Sequence, residues 1–252
     1  MKKIYLYIAL LSYIIVSNNL LSKNKESILT ISTSTDYPPF VFMKNNEHVG
    51  FDIDIIKIIA ERLHMKPEII DMELQTIFPS LLSNKTQVAI SCFMKTKERE
   101  RNFDFSNEYF YTSKSIIYNI KNNNKIPNSI EAIDKEKIGI TIGSSEESLF
   151  KELMSKNNKN YNIILFNTQN QEIEALKNNS IDIIVMQKEN AEIFIRKNKS
   201  LKYIEINDLR TSCRILLKKN SPLTSKVNEI LYNLQEDGTI KELKEKWFGK
   251  EQ

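Results

Sequence analysis

Two successive series of short β-branched runs, separated by stretches whose apolar residues recur at helical spacing, run through this chain. In the first series, residues 28–33, 68–72 and 88–93 read as strands, and 40–43 as a shorter one. Between them Ile55, Ile56, Ile59 and Leu63 share a helical face, and a short helix is expected at 78–82 with Pro79 near its first turn. In the second series, strands at 138–142, 161–166 and 181–186 alternate with helices at 144–153, 171–177 and 190–196. Parallel strands need crossover connections of this length, so an α/β layer around a mostly parallel sheet is expected twice over. A polar stretch at 121–127 reads as an exposed excursion between the two. A strand at 214–218, a helix at 226–234 and a last helix opened by Asp237-Gly238-Thr239 follow, and complete one of the earlier lobes.

The 252 residues suffice for two small cores, and 41% hydrophobic content excludes disorder. Only 5 Gly and 6 Pro, with no sustained heptad, exclude fibrous and coiled-coil classes. The net charge of +4 is dispersed, not gathered into a stripe, so nucleic acid is not an expected partner. Lys2 and Lys3, an apolar run from Ile4 to Val16 and a polar exit read as a signal peptide over residues 1–22, with a retained anchor as the alternative. Its loss takes the formal charge from +4 to +2. Export permits Cys92 and Cys213 to oxidise, but separate half-buried thiols are the expectation and a bridge the alternative. No Cys-x-x-Cys is present and His48 and His64 lie in different contexts, so neither a metal nor a cofactor is expected.

Seven motifs then occur in order. They are Asp36-Tyr37-Pro38-Pro39-Phe40, Gly50-Phe51-Asp52-Ile53-Asp54, Phe78-Pro79-Ser80-Leu81-Leu82, Thr96-Lys97-Glu98-Arg99, Phe103-Asp104-Phe105-Ser106, Asp237-Gly238-Thr239 and Lys246-Trp247-Phe248-Gly249. In this order and spacing the chain resembles the periplasmic solute-binding proteins of polar amino-acid ABC transporters, solute-binding protein family 3. The resemblance implies a type II periplasmic-binding-protein fold, two α/β lobes joined by two hinge strands, that closes on a ligand. Lobe 1 would comprise 28–111 plus 215–252, lobe 2 118–208, and the crossings 112–117 and 209–214.

The resemblance also implies a site. Arg99 would grip a ligand carboxylate, since a planar guanidinium offers two parallel charge-assisted hydrogen bonds. Tyr37 would cover the ligand, with Ser34, Leu74, Cys92 and Met94 on the same lobe. Leu74 stands where the family often has an aromatic, and Met94 replaces an expected hydroxyl with apolar bulk. From lobe 2, Ser144 and Ser145 follow Gly143 at a helix mouth whose N–H groups can hold a carboxylate oxygen or whose hydroxyls can cap the helix. Gln187 takes the place of an aspartate that pairs with an α-ammonium group, so countercharge is missing there; Glu146 or Glu147 is a candidate replacement. Arg214, where the family has glycine, would add positive charge. The expected function is capture of a small polar carboxylate, such as an amino acid or derivative, by a monomer outside the cytoplasmic membrane, in the periplasm or on the membrane's outer face. ABC permease subunits would be its partners, and no enzymatic step is expected. The alternatives are an exported cyclohexadienyl or arogenate dehydratase-like enzyme, with a cleft acid such as Glu147, and a membrane-tethered sensory module.

Overall fold

The computed structural model describes residues 27–121 and 126–249. The expected signal peptide and part of the 121–127 excursion lie outside the described residues. In the first lobe, β1 (Ser27–Thr33) lies between β5 (Met65–Asp71) and β6 (Val88–Phe93), parallel to both. Both faces of β1 and β6 are covered, and β6 is buried along its whole length, as a parallel sheet requires. The helix α1 (Phe51–Arg62) buries Ile53, Ile55, Ile56 and Ile59 against this sheet. Its β-branched content lowers intrinsic helicity, so the packed face holds it. A small antiparallel sheet of β2 (Asp36–Tyr37), β3 (Val41–Lys44) and β4 (Glu47–Val49) leads into α1. Gly50 makes that entry possible: at φ 135° a Cβ would meet the Phe40 carbonyl oxygen at 2.0 Å.

The helix α2 (Leu74–Leu82) begins earlier than expected, so Pro79 is interior to it. Position 79 is the sixth of its nine residues, where the missing N–H forfeits one intrahelical bond. Two short elements, α3 (Lys97–Asn102) and β7 (Phe103–Phe105), follow β6.

The second lobe repeats the plan. Here β9 (Lys137–Thr141) lies parallel between β10 (Asn162–Phe166) and β11 (Ile183–Gln187), with α4 (Ser145–Asn157), α5 (Gln169–Lys177) and α6 (Lys188–Lys197) packed around them. Two antiparallel strands join the lobes. β8 (Phe110–Asn119) pairs with β11, and β12 (Leu201–Lys218) pairs with β8 through its first part and with β6 and β7 through its second. A register shift between Ile206 and Arg210 lets β12 bend from one sheet into the other. The last helices, α7 (Thr224–Glu236) and α8 (Thr239–Phe248), return to the first lobe, where Val227, Leu231, Leu234 and Ile240 share a core with Leu29 and Ile31.

Candidate functional site

The C-terminal ends of β1 and β6 face the N-terminus of α4 across the gap between the lobes, which is where α/β sheets place ligands. A cavity of about 40 Å³ lies there. All nine residues expected at the site line it: Ser34, Tyr37, Leu74, Cys92, Met94 and Arg99 from the first lobe, with Ser144, Ser145 and Gln187 from the second.

Arg99 is held with unusual definition. The hydroxyl of Thr96 caps α3 by accepting from the Arg99 N–H at 3.2 Å. The guanidinium, 7% exposed, lies over the rings of Phe78 at 5.0 Å and Phe93 at 5.5 Å. Its Nη1 donates to the Met94 carbonyl at 2.9 Å and its Nη2 to the Gly143 carbonyl at 2.7 Å, the latter across the gap. Burial lowers its pKa to about 10, against the pull of Glu146 and Glu98, so it is cationic at neutral pH. A carbonyl accepts a hydrogen bond without cancelling charge. A carboxylate does both, which makes this the natural anchor for one.

The lobes are latched shut by further contacts. Gln169 N–H donates to Asp36 Oδ2 at 2.8 Å, Asn190 Nδ2 to the Pro38 carbonyl at 2.6 Å, and Lys97 pairs with Glu152 at 2.5 Å. Gly143 allows the approach: at φ 79° a Cβ would lie 3.1 Å from the Gln75 Cα and 3.4 Å from the Phe78 ring.

At the α4 mouth the donors are already partly committed. Gly143 N–H donates to Glu147 Oε2 at 2.7 Å, and Ser144 Oγ accepts from Glu147 N–H at 3.2 Å. Ser144 is thus a cap, and the Gly143 N–H serves the turn. Glu147 also pairs with Lys151 at 2.7 Å and is absent from the cavity lining, so it is no replacement countercharge. Glu146 lines the cavity instead. Arg214 departs from expectation too: its guanidinium is bonded to Glu108 and does not line the cavity, so its charge is spent beside the crossing. Gln187, 4% exposed, donates from Nε2 to the Met94 sulfur at 3.4 Å. Met94 is therefore the meeting point of both lobes, as Ser145 Oγ and Lys114 Nζ each approach its sulfur at 3.2 Å.

Asp36, Glu146, Gln169 and the hinge residue Lys114 were not assigned to the site from sequence, apart from Glu146 as one of two candidates. Asp36 sits inside the first motif, which was the available signal for it. Nothing local marks the other three.

The cysteines correct the expectation of separate thiols. Cys92 and Cys213 form a disulfide with Cα atoms 4.3 Å apart, because the pairing of β12 with β6 brings them side by side in the core. Behind Cys92 lies Asp52, fully buried, whose Oδ2 accepts from Cys92 N–H at 2.7 Å and Oδ1 from Tyr109 Oη at 2.9 Å. Burial raises its pKa from 3.8 to about 7, against both hydrogen bonds. The folded chain thus holds this proton more tightly than the unfolded chain. Stability from Asp52 is complete below about pH 4 and lost as pH rises through about 7. Between pH 5 and 8 the protein is expected to lose roughly 2–3 kcal/mol more stability than Asp52→Asn, measured by urea unfolding. Parallel pH profiles for the two would contradict it.

A sequence profile described as "Bacterial extracellular solute-binding proteins, family 3" matches residues 29–250. The arginine-binding extracellular protein ArtP of Bacillus subtilis is 27% identical over 240 residues, covering 92% of this chain and 90% of its own. The structure of an ancestral arginine-binding protein bound to arginine superposes with a TM-score of 0.81 at 30% identity, over 89% of this chain and 99% of that one. An ancestral amino-acid-binding protein, a precursor of cyclohexadienyl dehydratase, does so at 0.78 and 26% identity, over 92% and 98%. The chain belongs to the bacterial extracellular solute-binding proteins of family 3.

Proposed function

We propose that this protein is the extracytoplasmic binding component of an amino-acid-type ABC transporter, which captures a small carboxylate by closing its two lobes around it. The observation that carries this reading is the convergence of both lobes on one cavity, with the buried guanidinium of Arg99 on its wall. Lobe 1 is read as 28–111 plus 215–252 and lobe 2 as 118–208, with crossings at 112–117 and 209–214. The nine expected residues among those lining the cavity are read as ligand contacts. Relatives named for arginine, histidine and cystine support an amino-acid-like solute. Gln187 offers an amide oxygen to an α-ammonium group, a neutral acceptor in place of a charge. Closure, not chemistry, is the output: the closed surface is what permease subunits in the membrane would recognise. The protein is read as acting outside the cytoplasmic membrane, in the periplasm or at the membrane's outer face.

The geometry gives a dehydratase little to work with. Glu147 is tied up outside the cavity, and Glu146, although burial raises its pKa, is held net below the usual carboxylate range by Lys114. An acid kept ionised is a poor proton donor at neutral pH. Protein purified without added solute and then denatured is expected to release a small carboxylate in stoichiometric amount, identified by mass spectrometry. That compound should rebind in calorimetry and remain unconverted on incubation. Conversion of prephenate or arogenate at an enzymatic rate would overturn the reading.

A further inference from the structure

Behind the cavity lining, paired with a residue that does line it, stands a second buried cation that carboxylate capture does not require. Lys114 of β8 is 5% exposed, and its Nζ is bonded to the Glu146 carboxylate and donates to Ser145 Oγ at 2.9 Å. It stands between the cavity and a wider groove of about 850 Å³ that opens along α4. Glu146 itself is 6% exposed and accepts from Ser145 Oγ at 3.1 Å as well. The other acid on the lining, Asp36, accepts from Ser34 Oγ at 2.8 Å and from Gln169 N–H at 2.8 Å, both neutral donors. With Lys114 counted behind the lining, two cations, Arg99 and Lys114, stand against the two lining acids, Glu146 and Asp36.

Among side chains buried this deeply an unbalanced charge is expensive. A zwitterion with an uncharged side chain preserves the balance. A basic side chain adds a positive charge beside the Lys114 ammonium; of the two lining acids Glu146 is already paired with that lysine, and Asp36 is left for the ligand's α-ammonium group. An acidic side chain meets Glu146. Meanwhile two buried atoms on the lining residues, Tyr37 Oη and Gln169 Oε1, have no hydrogen-bond partner in the protein. Such atoms are costly unless a ligand meets them, and what they ask for is a hydrogen-bond donor to Gln169 Oε1 and a polar partner for the Tyr37 hydroxyl.

Building on the capture reading above, we propose that Lys114 is a resident counter-ion to Glu146 that sets specificity, confining the cleft to zwitterionic ligands with uncharged, hydrogen-bonding side chains. The lysine does what a ligand's own cation would otherwise do, and so excludes that cation.

Calorimetry with glutamine, glutamate, arginine and lysine tests this on the full chain, beside Lys114→Met, Glu146→Gln and Arg99→Ala. The wild type is expected to bind glutamine at least about tenfold more tightly than the charged three. Lys114→Met should free Glu146 and shift the arginine-to-glutamine affinity ratio by about tenfold or more toward arginine. Glu146→Gln should shift the glutamate-to-glutamine ratio similarly toward glutamate. If Lys114→Met fails to fold by circular dichroism, the Glu146→Gln ratio decides alone. A wild type that binds arginine as tightly as glutamine, or variant ratios that stay where they were, would overturn the role of Lys114 and leave capture standing. Binding of none of the four by the wild type would overturn the inference, whereas the absence of any carboxylate released on denaturation would overturn capture itself and the inference with it.

Discussion

Replacing Arg99 by alanine is expected to weaken binding of the native carboxylate by at least about 100-fold, close to 3 kcal/mol. Two losses combine in that figure. The carboxylate loses its bidentate, charged partner, and in the closed cleft it is left buried without a countercharge. Lysine at the same position restores the charge but not the planar fork or the stacking between Phe78 and Phe93, so Arg99→Lys should recover only part of the loss. Folding should suffer less than binding. The Gly143 contact of Arg99 spans the lobes and is present only on closure, and its removal leaves the two hydrophobic cores intact. Calorimetry gives the affinity and thermal unfolding without ligand gives the stability. An affinity within a few-fold of wild type would remove Arg99 from the site.

How far the sequence speaks depends on whether a residue's role is local. Residues 88–93 were legible as a strand because a strand buried on both faces must be apolar throughout, and Val88–Phe93 is. The face of α1 was legible because its isoleucines recur with the helical period. From its residues the long strand β12 was legible only at its end, from 214, with 209–214 added as a crossing by the resemblance. Its earlier part carries Glu205, Asn207, Asp208 and Arg210, and pairing with β8 overrides that polar composition; Glu205 accepts from Ser113 at 2.6 Å and pairs with Lys188 at 2.9 Å. The same contrast governs the site. Arg99 and Tyr37 sit in motifs that carry their context with them. Lys114 lies in a hinge strand, and its partner Glu146 is 32 positions away on a helix of the second lobe. In sequence such a lysine reads as solvated, since burial of its charge depends on a partner that only the fold supplies. Glu146 and Glu147 were indistinguishable as neighbours, and the helix turn separated them, one facing the cavity and the other returning to Gly143.

The disulfide marks the limit of that reading, and it carries the second large effect. Removing it by the double substitution Cys92→Ala and Cys213→Ala is expected to destabilise the protein by about 3–5 kcal/mol, or to lower the melting temperature by roughly 10 °C. The bridge spans 121 residues of sequence, and a crosslink closing so long a loop removes much of the unfolded chain's freedom. The second lobe lies within that loop and has its own cores. Its independent structure would already restrict the unfolded chain, which places the effect toward the lower end. A local contribution works in the other direction. Cys92 holds a backbone φ of 45°, in the region that disfavours a side chain, and its N–H is the donor that meets buried Asp52. Without the link to β12, nothing covalent keeps Cys92 in that conformation beside Met94 and Arg99. Stability should therefore fall more than the cost of the lost atoms alone, and ligand should recover part of it by closing the cleft over the same wall. Thermal unfolding of the double variant, and of wild type with and without reductant, measures the effect. Coincident melting curves would show that the bridge is absent in solution or bears none of the lobe's stability.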